Sequence, residues 1–172
     1  LFNDFDPFCE KDTVRDIVLS PNIPNSPTIS LDVAGGLTYP VNEPFERAIV
    51  LNNLNVNSDS LYGIAFRVVS DPTIVQPLSV NYRNSWFGDT LANMLTVDAT
   101  RQSEGILYVS MVGKDHLNRT GNGTIANYNG IIVDVVGRSS QFIIDSIMAA
   151  DKHGNIKPIS STAIIVDVVG FT

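Results

Sequence analysis

The apolar residues of this chain occur in short runs that are rich in β-branched side chains and that end at turn-forming residues. Such runs are typical of strands, whereas an amphipathic helix needs apolar residues three and four positions apart over several turns. Only residues 86–94 are compatible with a short helix. The pattern therefore predicts an all-β domain with little helix. The predicted strands cover residues 15–20, 28–34, 47–52, 60–69, 78–82, 94–98, 105–112, 123–136, 141–148 and 162–169.

Alternation within these runs predicts how the strands pack. In residues 28–34, the side chains of Ile29, Leu31 and Val33 alternate with polar side chains. A strand of this kind buries one face and exposes the other to water. Residues 105–112 are largely apolar on both faces, which predicts a central strand. We therefore expect two antiparallel sheets packed as a β-sandwich.

The length and charge of the chain exclude several kinds of function. The 172 residues suit one domain, because a single core grows efficiently up to about 250 residues. The 18 Asp and Glu residues outnumber the 11 Lys and Arg residues, and the formal net charge is −7. Binding to nucleic acid or to anionic lipid needs clustered basic residues, so we expect neither. No apolar run approaches the roughly 20 residues that span a bilayer.

One heptapeptide, Ile-Ile-Val-Asp-Val-Val-Gly, occurs at residues 131–137 and again at 164–170. The flanking residues differ, which argues against a solenoid repeat. We interpret the two copies as strands that solve the same packing problem. The acidic residues Asp134 and Asp167 are expected on the solvent side or at a sheet edge, where a charge prevents the addition of another strand.

Residues 1–26 differ from the rest of the chain, because aromatic, acidic and proline residues dominate there. We expect them to form an extended segment or linker that packs on the sandwich of residues 27–172. The chain starts without Met and without a signal-like run, so we expect a processed or excised piece of something longer. Its single cysteine, Cys9, excludes an internal disulfide. Cys9 is either a partly buried small side chain or a thiol that pairs between chains.

The sequence has no recognisable catalytic arrangement. Its two histidines, His116 and His153, lie in polar loop sequence and are expected to be exposed in turns. No serine lies in a nucleophile-elbow sequence, and no glycine loop has the residues that hold a phosphate. One cysteine and two distant histidines do not match a zinc site. We therefore expect that the protein is not an enzyme and needs no cofactor.

Calcium is the one metal that the sequence leaves open. Oxygen-bearing side chains follow one another closely at residues 3–6 and alternate at residues 53–59. Calcium loops use hard oxygen ligands at such spacings, but neither stretch has the Gly and Glu of an EF-hand loop. Solvated turns explain both stretches as well, and this is the interpretation that we favour. The candidate ligands are Asp4, Asp6 and Asp59.

Two aromatic residues are candidates for a sugar platform. Trp86 is the only tryptophan, and Tyr82 lies four residues before it. If the two rings are exposed, they can bind sugars. If they lie where a strand leaves its sheet, they can instead cover the end of the hydrophobic core. Both interpretations of the pair stay open.

Several triplets are candidate glycan acceptors. Two are formal N-glycosylation sequons, with acceptors Asn118 and Asn122. Four Asp-Ser/Thr-aliphatic triplets resemble the acceptor preference of some bacterial periplasmic O-glycosylation systems. Surface sugar would suit an extracellular protein. The hydroxyl acceptors in these triplets are Thr13, Ser60, Thr90 and Ser146.

The centre of the chain resembles cohesin-like domains. In that family a Gly-hydrophobic-x-Phe-x-hydrophobic strand precedes a Tyr-Asp-Pro-x-hydrophobic-Val turn. This chain has Gly-Ile-Ala-Phe-Arg-Val at residues 63–68 and Ser-Asp-Pro-Thr-Ile-Val at 70–75. The version found in very large secreted surface proteins of one bacterial phylum is similar over further segments. The resemblance covers about residues 27–170 and departs from the family at Ser70, where Tyr is usual; no dockerin-type calcium repeat is attached.

This resemblance implies a jelly-roll sandwich of about nine strands that binds a partner and does not catalyse. Cohesins bind dockerins through one sheet face. The surface-protein version implies a protein–protein interaction module, or a structural and adhesive one, outside the cell at a bacterial surface. Its partners would be other protein domains or copies of the same protein. The alternative function is a carbohydrate-binding module that binds surface glycans.

Overall fold

A computed structural model describes residues 26–34, 38–54, 60–133 and 138–169 of the chain. In this part of the chain there are eleven strands, and a single 3-10 turn at Gln102–Glu104 is the only helical element. The all-β prediction is confirmed. The strands are β1 (Thr28–Leu31), β2 (Thr38–Pro40), β3 (Pro44–Asn52), β4 (Gly63–Val69), β5 (Val75–Asn81), β6 (Met94–Arg101), β7 (Ile106–Gly113), β8 (Gly123–Ile132), β9 (Ser139–Ala150), β10 (Ser160–Ser161) and β11 (Ile164–Val169).

The strands form two sheets that pack face to face. The five-stranded sheet has the order β10-β1-β3-β8-β5, and the six-stranded sheet has the order β2-β11-β9-β4-β7-β6. Neighbours are antiparallel except for two short parallel pairs, β1 with β10 and β11 with β2. This architecture confirms the predicted β-sandwich. It has more than about nine strands because the short strands β2 and β10 extend the two sheets.

Three aromatic rings join the sheets in the core. Phe45 and Tyr128 belong to the five-stranded sheet, and Phe142 belongs to the six-stranded sheet. The Phe142 ring meets Tyr128 edge to face at 5.4 Å and Phe45 at 6.3 Å between ring centroids. All three side chains are buried. Edge-to-face packing is a favourable arrangement of aromatic rings, so these contacts align the two sheets as well as bury area.

The predicted helix at residues 86–94 is wrong, because the structure has consecutive turns there. The Asp89 carbonyl accepts hydrogen bonds from the backbone N–H groups of Asn93 and Met94 at 3.0 and 2.9 Å. The Asp89 carboxylate accepts the N–H of Leu91, and the Asn93 side chain accepts the N–H of Asp89. Short polar side chains that bond to nearby backbone compete with helix formation.

Other expectations are corrected at strand ends. The first strand ends at Leu31, so Val33 is 54% exposed instead of buried. Strands β2 and β10 were not predicted, since strands of three and two residues are too short to show alternation. The predicted strand at residues 15–20, most of the predicted segment 1–26 and Cys9 lie outside the described residues.

The two copies of the heptapeptide do not pack alike. In the first copy Ile132 is fully buried at the end of β8. In the second copy Ile164 and Val166 are buried, and Ile165, the counterpart of Ile132, is 59% exposed. The interpretation that both copies solve one packing problem is therefore wrong. Asp167 is exposed, as expected, and accepts a hydrogen bond from Ser139, whereas Asp134 lies outside the described residues.

Substitution of Gly105 will test the turn that leads into β7. Gly105 has φ of 69°, and a Cβ there would lie 2.1 Å from the backbone oxygen of Ser70. We expect Gly105→Ala to lower the free energy of unfolding by about 3 kcal/mol, because strained backbone and overpacking add. Gly154→Ala is the matched control: its φ is 82° but its Cβ meets open space. In urea unfolding we expect Gly154→Ala to lose only about 1 kcal/mol of unfolding free energy. An equal loss in the two variants would contradict the steric argument.

Candidate functional site

The outer face of the five-stranded sheet is polar and satisfied by its own hydrogen bonds. The Asn81 amide donates to Glu46 at 2.7 Å and accepts from Asn127 at 3.1 Å. On the same sheet the Asn129 amide donates to Ser79 at 3.3 Å. Because these side chains already bond to one another across the strands, a partner would gain few new hydrogen bonds by covering them.

The outer face of the six-stranded sheet is mostly apolar by contrast, with the polar side chains of Arg101 and Gln141 at its margins. On β4, β7, β9 and β11 most inward side chains are buried in the core, whereas on the edge strand β6 only Met94 is buried. The alternate side chains of all five strands point outward. Val97 and Met148 are 67% and 69% exposed on it. Contiguous exposed apolar surface marks an interaction site in most proteins. We call this surface the apolar face; its residues are Gly63, Ala65, Val69, Leu95, Val97, Ala99, Ile106, Tyr108, Ser110, Val112, Ile143, Met148 and Ile165.

One ion pair interrupts the apolar face near its centre. Arg67 on β4 lies opposite Asp145 on β9 in the strand register. The guanidinium donates two hydrogen bonds to the carboxylate, one from Nε and one from Nη2 at 3.0 Å. The Asp145 hydrogen bonds and negative charge raise the pKa of Arg67 above its ordinary value. Because the charges cancel, the centre of the face carries no net charge.

A β-bulge in β9 shapes the same region. The register between β4 and β9 shifts between the Ala65 and Arg67 pairs, and Ser146 has φ of 53° at this point. A bulge bends its strand and increases the local twist. Ser146 is exposed at the bend, beside the ion pair of Asp145. The apolar face is therefore a curved surface, with Met148 beyond the bend.

A shallow depression of about 440 Å³ lies at one end of the apolar face. Ala65, Val112 and Met148 line it from three strands, and Ile156 lines it from the turn after β9. Ile156 pairs with Ala150 as an isolated bridge, which holds the turn against the sheet. The depression could hold an apolar side chain of a partner.

Asp151 holds together the turn beside this depression. Its carboxylate accepts hydrogen bonds from the Asn155 side chain at 2.8 Å and from the backbone N–H groups of His153 and Asn155 at 2.9 and 3.0 Å. The Lys157 ammonium lies 3.6 Å away. The Asn155 side chain, the backbone donors and the nearby Lys157 charge lower the pKa of Asp151 to about 2. The carboxylate therefore stays ionised and the turn stays folded at neutral pH.

The two sugar-platform candidates do not line a common depression. The Trp86 and Tyr82 side chains both pack against the core, and the Trp86 indole lies over Gly121 and Gly123. Tyr82 also lines a polar depression of about 720 Å³ between residues 81–85 and 88–93, and Trp86 does not line it. The Tyr82 hydroxyl is 3.3 Å from the Asp98 carboxylate, and burial raises the pKa of Tyr82 above its ordinary value.

Two of the glycan-acceptor candidates bond to each other. The Asn118 amide donates to the Ser60 hydroxyl at 3.0 Å and accepts the backbone N–H of Lys152 at 2.8 Å. Asn122 accepts the N–H of Leu54 at 3.1 Å and is exposed. Thr90 and Ser146 are also exposed, and Thr13 lies outside the described residues. Glycosylation of any of them stays a prediction.

The remaining candidates that the structure describes are dispersed and do not form one site. His116 and His153 are exposed at turns, as predicted, and His116 stacks on Tyr62. No group of three His, Cys, Asp or Glu residues in the described ranges is arranged to hold a metal ion. The calcium candidates Asp4, Asp6 and Asp59 lie outside those ranges. None of the described helices is long and apolar enough to cross a membrane.

The apolar face was not predicted from the sequence. The one signal for it was the strand now assigned as β7, whose residues are apolar at both alternations. Such a strand is equally compatible with burial on both faces, and only the structure shows that its outer side lacks a covering layer among the described residues.

Comparison with solved structures identifies the fold. The sixth cohesin of scaffoldin B from Acetivibrio cellulolyticus, solved with a Cel5 dockerin, is 17% identical, with a TM-score of 0.68 over 84% of this chain and 99% of that one. A type I cohesin of a cohesin–dockerin complex from Clostridium thermocellum is 10% identical, with a TM-score of 0.71 over 85% and 95%.

A non-cellulosomal cohesin from the archaeon Archaeoglobus fulgidus is 14% identical, with a TM-score of 0.65 over 84% of this chain and 92% of that chain. No family model and no curated protein matches the sequence. The chain therefore has a cohesin-like β-sandwich fold, as the sequence resemblance implied.

The turn beside the depression gives a pH prediction. The folded pKa of Asp151 is lower than its ordinary value of 3.8, so its ionised form stabilises the fold above pH 3.8. That contribution is lost as the pH falls from 3.8 towards 2. We expect Asp151→Asn to lower the unfolding midpoint at pH 7 and to lose less stability than wild type between pH 4 and 2. Thermal unfolding followed by circular dichroism measures both, and parallel pH profiles would contradict the assignment.

Proposed function

We propose that this protein is a non-enzymatic protein-binding module that binds a partner through the apolar face. The observation that carries the proposal is the exposed apolar surface of the six-stranded sheet, with its charges cancelled between Arg67 and Asp145. Covering apolar surface contributes roughly 25 cal/mol per Å², so this face is the part of the described surface from which a partner gains most.

The chemistry of the face defines the partner surface. Most of the face needs apolar contact, and the paired Arg67 and Asp145 need polar groups opposite them, because covering a charge without a hydrogen-bond partner is costly. A small folded domain with an apolar stripe around one or two polar residues meets both needs. Two of the similar cohesin structures contain dockerins. A dockerin-like domain is therefore the partner class that we propose.

We further propose that the module acts outside the cell, as part of a bacterial surface protein or assembly. Two features support this location. The resemblance to secreted surface proteins covers most of the chain, and the polar surface uses Asn, Ser and Thr in place of many charges, since only 17% of residues are charged. Surface glycans on the exposed acceptor candidates would fit the same setting.

Substitution on the apolar face tests the function. The biotinylated chain is used to capture proteins from the extracellular fraction of its source organism, and each captured protein is purified and titrated calorimetrically. We expect Met148→Arg to weaken binding by about tenfold or more, because it places a charge in an apolar contact. Leu78→Arg is the matched control, since Leu78 is an exposed apolar residue of the other sheet.

Two outcomes would contradict this proposal. One is that no purified protein binds the wild type saturably. The other is that Met148→Arg and Leu78→Arg bind equally well, which would place the contact elsewhere. Circular dichroism of both variants shows whether the fold is intact.

A second candidate function is glycan binding, and the polar depression at Tyr82 favours it. The depression has amide and hydroxyl side chains around one aromatic ring, which are the groups that bind sugar hydroxyls; they include Asn84, Ser85 and Thr90. Asn84 has φ of 56°, so Asn84→Gly removes its amide without straining the backbone. On a glycan array we expect wild-type binding that Asn84→Gly loses and Met148→Arg retains. An array without wild-type binding would eliminate this candidate.

A further inference from the structure

Three of the four sheet edges carry features that prevent another strand from pairing. Strand β10 has two residues, and β2 has three and ends at Pro40. Strand β5 contains Pro77, which lacks an N–H, and a register shift follows directly between Pro77 and Ser79. Short strands, prolines and bulges are the usual means by which proteins block sheet edges.

The fourth edge, β6, has none of these features. It is eight residues long, contains no Pro, Gly or Lys, and pairs with β7 in an unbroken register. Within the described residues β7 is its only strand neighbour. Its two charged residues already have partners within the chain: the Asp98 carboxylate accepts the Tyr82 hydroxyl at 3.3 Å, and Arg101 lies 3.3 Å from the Glu104 carboxylate. Neither side chain therefore protects the edge as an unpaired charge would. An edge of this length and regularity is a template for an added strand.

The hydrogen-bond pattern shows which groups of β6 are available. The N–H of Lys114 donates to the carbonyl of Asn93 at 2.7 Å, so residues 93 and 114 form a hydrogen-bonded pair just before β6. Such pairs alternate along an antiparallel ladder. Residues 95, 97, 99 and 101 therefore bond to β7, and the backbone groups of Thr96, Asp98 and Thr100 project from the open edge.

We propose that β6 pairs with β6 of a second copy of this chain, antiparallel and with the two-fold axis at Val97. This register places Thr96 opposite the partner's Asp98 with their backbone groups bonded in both directions. On the outer side, Val97 meets the partner's Val97 and Leu95 meets the partner's Ala99. Directly opposed apolar residues and hydroxyl–carboxylate pairs both stabilise antiparallel strands.

Charge and strand length together select this register over its neighbours. An axis at Asp98 would place two carboxylates opposite each other, in a chain whose net charge is already −7. An axis at Thr96 would leave the last residues of β6 unpaired. With the axis at Val97 no like charges are directly opposed along β6, because each Asp98 lies opposite Thr96 and the two carboxylates are only diagonal neighbours.

The pairing would join the two six-stranded sheets into one sheet of twelve strands. The two apolar faces would then lie side by side on the same surface. A partner that carries two binding modules would engage both faces at once, which raises its effective affinity without new contacts. An extended peptide of another protein would use the same backbone groups, and it is the competing occupant that the experiment separates.

Mass measurement tests the dimer. Light scattering after size exclusion, with sedimentation equilibrium over rising concentration, should give a mass approaching twice 18.7 kDa. Thr96→Pro removes an N–H at the open edge, and Val97→Lys opposes two charges at the axis; both should give monomers. Leu78→Lys, on the other sheet, should leave the dimer unchanged. Unfolding midpoints of the monomeric variants show that they are folded.

Cross-linking tests the register. In a Cys9→Ser background, Val97→Cys places two thiols opposite each other and should form a disulfide dimer under mild oxidation. Ala99→Cys has its partner at Leu95 and should not. A wild type that stays monomeric at all concentrations overturns the proposal, as do dimers that survive both Thr96→Pro and Val97→Lys. Equal cross-linking of both cysteine variants overturns the register.

Discussion

The contact of Phe142 with Tyr128 and Phe45 is the interaction on which the rest of the structure depends. It connects β9 in the middle of one sheet to β8 and β3 in the other, and all three rings are buried. Truncating a buried Phe typically costs about 3–5 kcal/mol. Because successive side chains alternate across a strand, fixing Phe142 inward also fixes Ile143 and Gln141 outward.

That constraint creates the apolar face. The β9 register with β4 sets Asp145 opposite Arg67 and, after the bulge, Met148 opposite Ala65. The sheet thus has apolar side chains on both sides, one side covered by the five-stranded sheet and the other exposed. An exposed ion pair of this kind contributes at most about 1 kcal/mol to the stability of the fold. Its larger effect is that the two charges on the apolar face cancel.

Sequence patterns predicted the longer strands and missed features that depend on few residues. The Asp-Pro turn is present as predicted: the Asp71 carbonyl accepts the N–H groups of Ile74 and Val75. Ser70, where the family usually has Tyr, is buried and bonds to the carbonyls of Val75 and Gly105. The strand β2 was missed because three residues carry no periodic signal, and the helix was wrong because hydrogen bonds of Asp89 and Asn93 replaced it.

By itself the sequence determined the class of fold, since alternation and turn residues are local properties that a short stretch of chain specifies. The absence of a recognisable catalytic motif was equally visible there. Only the tertiary structure decided which apolar residues face water. The repeated heptapeptide shows this: Ile132 is buried, and its counterpart Ile165 is exposed. Identical residues took opposite faces because strand register is set by neighbours distant in the chain, here β3 and β5 for one copy and β9 and β2 for the other.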